Sequence, residues 1–141
     1  MKTRYFALIV GIVFVLIGLL GFVPNLISLP GGIPAFAIKG GYAYLFGLFP
    51  INLWHNIIHL IVGALGIFAY RRLENARLFA QGLTIFYALL AILGLIPTTY
   101  TMFGYIPIFG SDVWLHGLTA LIAAYFGYVT PETTLVEKRT F

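Results

Sequence analysis

Four runs of apolar residues, each close to the length of a membrane crossing, constrain this chain more than anything else in it. They cover about residues 5–23, 53–70, 78–96 and 113–129. A helix rises about 1.5 Å per residue, so roughly 20 such residues cross about 30 Å of hydrocarbon. In lipid the backbone has to satisfy its own hydrogen bonds, and a single span does so as a helix. Pro24, Pro97 and Pro131 stand just outside the runs, where proline stops a helix without breaking one. Asn52 and Ser111 are placed to cap the second and fourth helices, and Asp112 sits favourably near a helix N-terminus. The expected fold is an all-α membrane protein, a four-helix transmembrane bundle forming one domain over residues 1–141.

Composition agrees. The 141 residues are 61% hydrophobic and 9% charged, with a mean hydropathy of +1.01. A soluble domain carries about 25% charged residues. A chain this short cannot hide so much apolar surface from water, so lipid is the expected solvent. The absence of cysteine excludes disulfides, zinc–thiolate sites, iron–sulfur clusters and thiol nucleophiles.

The net charge of +4 is not a nucleic-acid footprint. Lys2, Arg4, Arg71, Arg72, Arg77, Lys138 and Arg139 flank the apolar runs instead of forming a basic face. The partner they imply is the lipid bilayer. Lys2 and Arg4 ahead of an apolar run resemble a signal peptide. The run is about 19 residues long, however, and no small-x-small site follows it, so a retained helix is expected. The positive-inside rule places the N-terminus, the Arg71–Arg77 loop and the Lys138–Arg139 tail in the cytoplasm. The other two connections hold only Lys39. They are rich in Gly, Pro and aromatics, and are expected at the outer interface as an aromatic belt and partial lid. Residues 41–49 are read as a short interfacial helix.

The chain also writes one hairpin twice. Gly47-Leu48-Phe49-Pro50-Ile51 runs on to His59, and Gly104-Tyr105-Ile106-Pro107-Ile108 runs on to His116, all at an offset of 57 residues. Upstream, Leu20-Gly21-Phe22-Val23-Pro24 is echoed by Leu93-Gly94-Leu95-Ile96-Pro97. Each copy begins inside and holds two helices. The copies are therefore expected to be parallel repeats about a pseudo-two-fold axis along the membrane normal.

The repeat brings together the residues with chemistry. His55 and His59 are four apart and share a helix face, as do Asp112 and His116. Three imidazoles and a carboxylate are a donor set for a divalent metal. His59 and His116 alone are a pair of axial ligands for haem b. The plainer reading is a polar clasp, with hydrogen bonds between helices and no cofactor. Gly63 and Gly66 beneath His59, and Ala120, Ala123 and Gly127 beneath His116, let helices approach closely, which counts against a porphyrin. Gln81 and Thr84 are read as structural hydrogen-bonding groups. No Asp, Glu, Lys or Arg lies inside the apolar runs, so an ion or proton relay of the usual kind is not indicated. No phosphate loop, hydrolase elbow or zinc-protease motif is present.

The segment Leu48-Phe49-Pro50-Ile51-Asn52-Leu53-Trp54-His55-Asn56-Ile57-Ile58-His59-Leu60, followed by Gly63, resembles the hallmark of domain-of-unknown-function family 4383. Residues 20–24 and Leu115-His116 fit the same family, so the resemblance covers about residues 5–130. It implies a small bacterial four-helix protein, multi-pass in the cytoplasmic or thylakoid membrane. It supplies no established activity and no catalytic residues. The expected function is a non-enzymatic accessory subunit or small binding module, with a membrane-protein partner or as a homo-oligomer. The alternatives are a histidine-liganded metal or haem protein and a small oligomeric transporter.

Overall fold

A computed structural model describes residues 2–30 and 38–131, so Lys138 and Arg139 of the topology argument lie outside the described residues. Four helices dominate it: α1 (Lys2–Leu20), α2 (Leu53–Ala69), α3 (Leu73–Leu95) and α4 (Ser111–Ala124). A π-type turn, Tyr125–Val129, extends α4. α1 and α3 are long and apolar enough to cross a membrane, and α2 is a shorter apolar helix. α3 starts five residues before the expected 78, because Leu73-Glu74-Asn75-Ala76-Arg77 continues the helix as a polar first turn. Glu74 in that turn suits the helix dipole.

The connection after α1 corrects one expectation. In place of a helix over residues 41–49 there is a strand pair. β1 (Ile27–Ser28), β2 (Ala43–Leu45) and β3 (Phe49–Ile51) form a three-stranded antiparallel meander in the order β1-β2-β3. Leu45 faces Phe49, and Ala43 faces Ile51. Phe46 and Gly47 turn the chain with φ of 53° and 69°. Two successive left-handed residues cannot continue a right-handed helix.

The two helix starts differ. Asn52 caps α2 as expected, its Oδ1 accepting from the His55 backbone N–H at 2.9 Å. Ser111 does not cap α4. It is the first helical residue, and the cap position belongs to Gly110 at φ 65°, with no side-chain hydrogen bond. The glycine's left-handed turn brings the chain off the 97–110 loop directly into the helix.

The helices pack as two hairpins, α1 with α2 and α3 with α4, with looser contact between the hairpins. Glycine lets α1 and α2 meet backbone to backbone. A Cβ on Gly63 would lie 2.7 Å from both the Gly11 carbonyl oxygen and the Val15 nitrogen. The core between the hairpins holds Phe6, Phe14, Ala80, Leu83, Tyr87, Ala120 and Ala123.

Each end of the bundle is closed differently. At the Lys2 end, Arg4 Nε donates to the Tyr70 carbonyl at 2.7 Å, and Thr3 Oγ1 lies 2.9 Å from Thr130 Oγ1. Gln81 Nε2 donates to the Gly127 carbonyl at 3.1 Å. At the other end the loops interlock. The Lys39 N–H donates to the Gly104 carbonyl at 2.8 Å, and its ammonium to the Tyr105 hydroxyl at 3.1 Å. Tyr42 meets Phe109 edge to face. Outward, large apolar side chains stand exposed on all four helices, among them Ile9, Leu65, Ile85 and Leu121.

Candidate functional site

The interlocked loops cover three buried histidines and one buried carboxylate. The Asn52 cap sets the first turn of α2, which turns His55 inward. His59 follows one turn below. Their rings stack at 4.6 Å with 9° between planes. His59 Nδ1–H donates to the His55 carbonyl at 3.1 Å, which leaves Nε2 as its acceptor. His55 Nδ1 lies 3.4 Å from the Pro107 carbonyl oxygen and 3.7 Å from Asp112 Oδ2.

Asp112 is 2% exposed and His116 3% exposed. Asp112 Oδ2 and His116 Nδ1 are buried without a hydrogen-bond partner among the described residues. The loss is uneven between the two deep histidines. His59 is tied to the carbonyl one turn back, whereas His116 has no such tie at Nδ1.

Each deep histidine also meets an aromatic ring. Phe14 meets His59 at 5.3 Å and 66°, and Tyr87 meets His116 at 5.1 Å and 67°. Asn56, beside His55, donates from Nδ2 to the Gly21 carbonyl at 2.9 Å and ties α2 to the end of α1.

Two crevices flank this centre. One, of about 130 Å³, is lined by His55, Ile58, His59, Phe86, Tyr87, Leu90 and His116, with Met102, Ile106 and Ile108 of the 97–110 loop over it. The other, of about 170 Å³, lies against α1 and α4. Its wall includes Val13, Phe14, Ile17, His59, Tyr87, Leu115 and His116. His59, Tyr87 and His116 thus form a partition shared by both.

The four candidate ligands His55, His59, His116 and Asp112 are gathered at one end of the bundle but do not converge. Among the described residues no group of three or more His, Asp or Glu side chains is arranged to hold a metal ion. The stacking explains why: a metal binds in the plane of an imidazole, and parallel stacked rings point their nitrogens alongside one another. His59 Nδ1 is moreover committed to a carbonyl. Haem fits no better. A cavity of about 150 Å³ holds a single benzene ring, and neither crevice is much larger than that.

Phe14 and the loop residue Met102 had not stood out in the sequence, whereas Ile106 and Ile108 lie in the repeated segment that ends at Ile108. A signal for Phe14 existed. Phe14 and Tyr87 lie 73 residues apart, the same offset that separates Pro24 from Pro97. Extending the proline markers back along the helices would have paired the two aromatics.

The family model described as "Domain of unknown function (DUF4383)" matches residues 4–129. No curated protein and no solved structure matches the chain.

Proposed function

The chain belongs to the DUF4383 family, and from that premise we propose a multi-pass membrane protein built of two like-oriented hairpins that serves as a small binding module, not an enzyme. The observation that carries this reading is the correspondence of the two crevices. Offsets of 57 from α2 to α4 and 73 from α1 to α3 relate their walls. Ile58 and His59 correspond to Leu115 and His116, while Val13, Phe14 and Ile17 correspond to Phe86, Tyr87 and Leu90. Contacts between helices follow the same rule. Gly21 lies against Asn56 and Gly94 against Val113; Gly18 lies against Leu60 and Ala91 against Gly117. Agreement of contacts where the residues themselves have changed supports a duplicated hairpin.

The bilayer reading is supported by the outward face. Monomeric soluble proteins rarely expose contiguous apolar patches beyond a few hundred Å², and here exposed Ile, Leu and Phe side chains recur along every helix. The Arg4–Tyr70 bond holds the N-terminus and the α2–α3 turn at one end. Arg71, Arg72 and Arg77 lie at that same end, which makes it the cytoplasmic one by the positive-inside rule. The histidine end then faces outward under its loop lid.

Binding is favoured over catalysis by the chemistry of the cluster. His55 and Asp112 stand 3.7 Å apart, beyond a hydrogen bond. The crevices are walled largely by aliphatic and aromatic side chains.

The reading is tested on the full chain in native membranes. It predicts retention through an alkaline carbonate wash, and release into mild detergent with a non-covalent adduct visible by native mass spectrometry. Release by carbonate contradicts the membrane reading; freedom from any adduct or partner contradicts the binding reading.

A further inference from the structure

At the Lys2 end the two hairpins meet through the first turns of α1 and the Tyr125–Val129 turn. Phe6 and Phe126 stack at 4.5 Å with 12° between planes, and Thr3 Oγ1 donates to the Phe126 carbonyl at 3.3 Å. A groove of about 390 Å³ is lined by Lys2, Tyr5, Phe6, Ile9 and Phe126. Its volume is that of a ligand cleft, and it lies open to the outside, with Tyr5 52% and Ile9 59% exposed. Positions 2, 5, 6 and 9 share one face of α1. That face carries a cation at its first residue and aromatic and aliphatic groups below it. The turn that carries Phe126 is unusual too. The Thr130 N–H reaches back five residues to the Tyr125 carbonyl at 3.1 Å, and single π turns on α-helices recur at functional sites.

The cations at this end are not equivalent. Arg4 is held by the Tyr70 carbonyl and Arg77 by the Thr130 carbonyl. Arg71 lies over the Phe68 ring at 5.3 Å. Lys2 is exposed, and its ammonium makes no hydrogen bond or ion pair among the described residues. A cation without a partner at the head of an apolar groove complements an amphiphile with an anionic head.

We propose that this groove seats one anionic phospholipid of the cytoplasmic leaflet, its phosphate on the Lys2 ammonium and an acyl chain along Tyr5, Ile9 and the Phe6–Phe126 stack. Charge sets the head. Lysine presents three donors on a compact point charge, which suits a phosphate oxygen. A zwitterionic lipid also carries a phosphate, but its own ammonium offsets the attraction. The apolar wall sets the tail, because a soluble phosphate compound would leave Ile9 and the ring stack uncovered. Orientation agrees. The Lys2 end is the cytoplasmic one in the reading above, that leaflet is the negatively charged one, and basic pockets between membrane helices on that side hold anionic head groups. This inference rests on the membrane reading above and not on the two crevices.

The test uses the full-length protein in mild detergent, with dioleoyl phosphatidylglycerol or dioleoyl phosphatidylcholine added and bound lipid counted by native mass spectrometry. The first phosphatidylglycerol should bind about fivefold more tightly than phosphatidylcholine, the worth of one basic side chain at a charged lipid surface. Lys2→Gln should abolish that preference. Arg72→Gln removes a cation of the same end from outside the groove and should keep it. Ile9→Trp fills the groove and should weaken both lipids, while Ile85→Trp, on the outward face of α3, should not. Circular dichroism of each variant establishes that it is folded, and Lys2 is exposed, so its replacement leaves the packing intact. Overturning results are equal binding of the two lipids by the unaltered protein, an undiminished preference in Lys2→Gln, or equal losses in Lys2→Gln and Arg72→Gln, which would mean a diffuse field and no seat. If the lipids bind alike while the protein withstands the carbonate wash, the seat is wrong and the membrane reading survives; release by carbonate removes both.

Discussion

Replacing Gly63 by alanine tests the backbone contact that joins α1 to α2. The new methyl would lie 2.7 Å from the Gly11 carbonyl oxygen, the Val15 nitrogen and Val15 Cγ2. Two of those atoms are backbone and cannot swing away. Restoring ordinary contact at 3.4 Å needs about 0.7 Å of separation between the helices. A gap of 0.5–1 Å forfeits a quarter to a half of each contact's attraction, and each is worth about 0.1–0.2 kcal/mol. For a patch of about 40 atom pairs, the number around one buried Leu, the loss is about 2 kcal/mol. That falls in the usual range of about 1–3 kcal/mol for overpacking. Alanine's better helix propensity returns about 1 kcal/mol, leaving Gly63→Ala about 1 kcal/mol less stable than the parent. Gly82→Ala is the control. It lies inside α3 with nothing within 4 Å of its would-be Cβ, so it keeps the propensity gain and has no clash. The two variants make the same chemical change and should differ by about 2 kcal/mol, because propensity cancels between them. Unfolding in mixed micelles with increasing dodecyl sulfate, followed by far-UV circular dichroism, measures the difference. Equal stability of the two variants would refute the close approach of α1 and α2.

Other consequences concern the cap and the cluster. Asn52→Ala removes the α2 cap and the 2.6 Å bond from Asn52 Nδ2 to the Tyr105 carbonyl; stability should fall by about 1 kcal/mol, and protease sites in the 97–110 loop should be cut faster. Protein purified without a histidine tag should show no Soret band and no stoichiometric metal by elemental analysis, because the His55 and His59 nitrogens do not converge. A metal at one equivalent per chain, lost on His59→Ala, would contradict that geometry.

How much of this was legible in the sequence differs from element to element. The four helices follow from apolar run lengths, each long enough for several helical turns and bounded by proline or a capping residue. The Asn52 cap was legible because Asn at a helix start has a local bond to make. The strand hairpin over residues 43–51 was not, because an apolar run with glycine suits a helix or a strand equally and the decision lies with Phe46 and Gly47 at positive φ. Ser111 misled because its residue type suits a cap while Gly110 holds the cap position. At the site, spacing put His55 with His59 and Asp112 with His116. It could not say that the first two would stack face to face, or that a loop carbonyl at Pro107 would stand opposite His55. Ring orientation depends on packing across helices, which a spacing of four residues does not encode.

The central claim is that two hairpins cross the bilayer in the same sense, with the histidine end outward. The chain has no cysteine, so single-cysteine variants report without background. Leu29, Phe103 and Glu74 are suitable positions: Leu29 is 84% and Phe103 75% exposed in the loops at the histidine end, and Glu74 lies in the first turn of α3 at the opposite end. The account predicts that L29C and F103C react with a membrane-impermeant maleimide in intact cells, and E74C only after permeabilisation. Labelling of E74C in intact cells, or opposite behaviour of L29C and F103C, would contradict it.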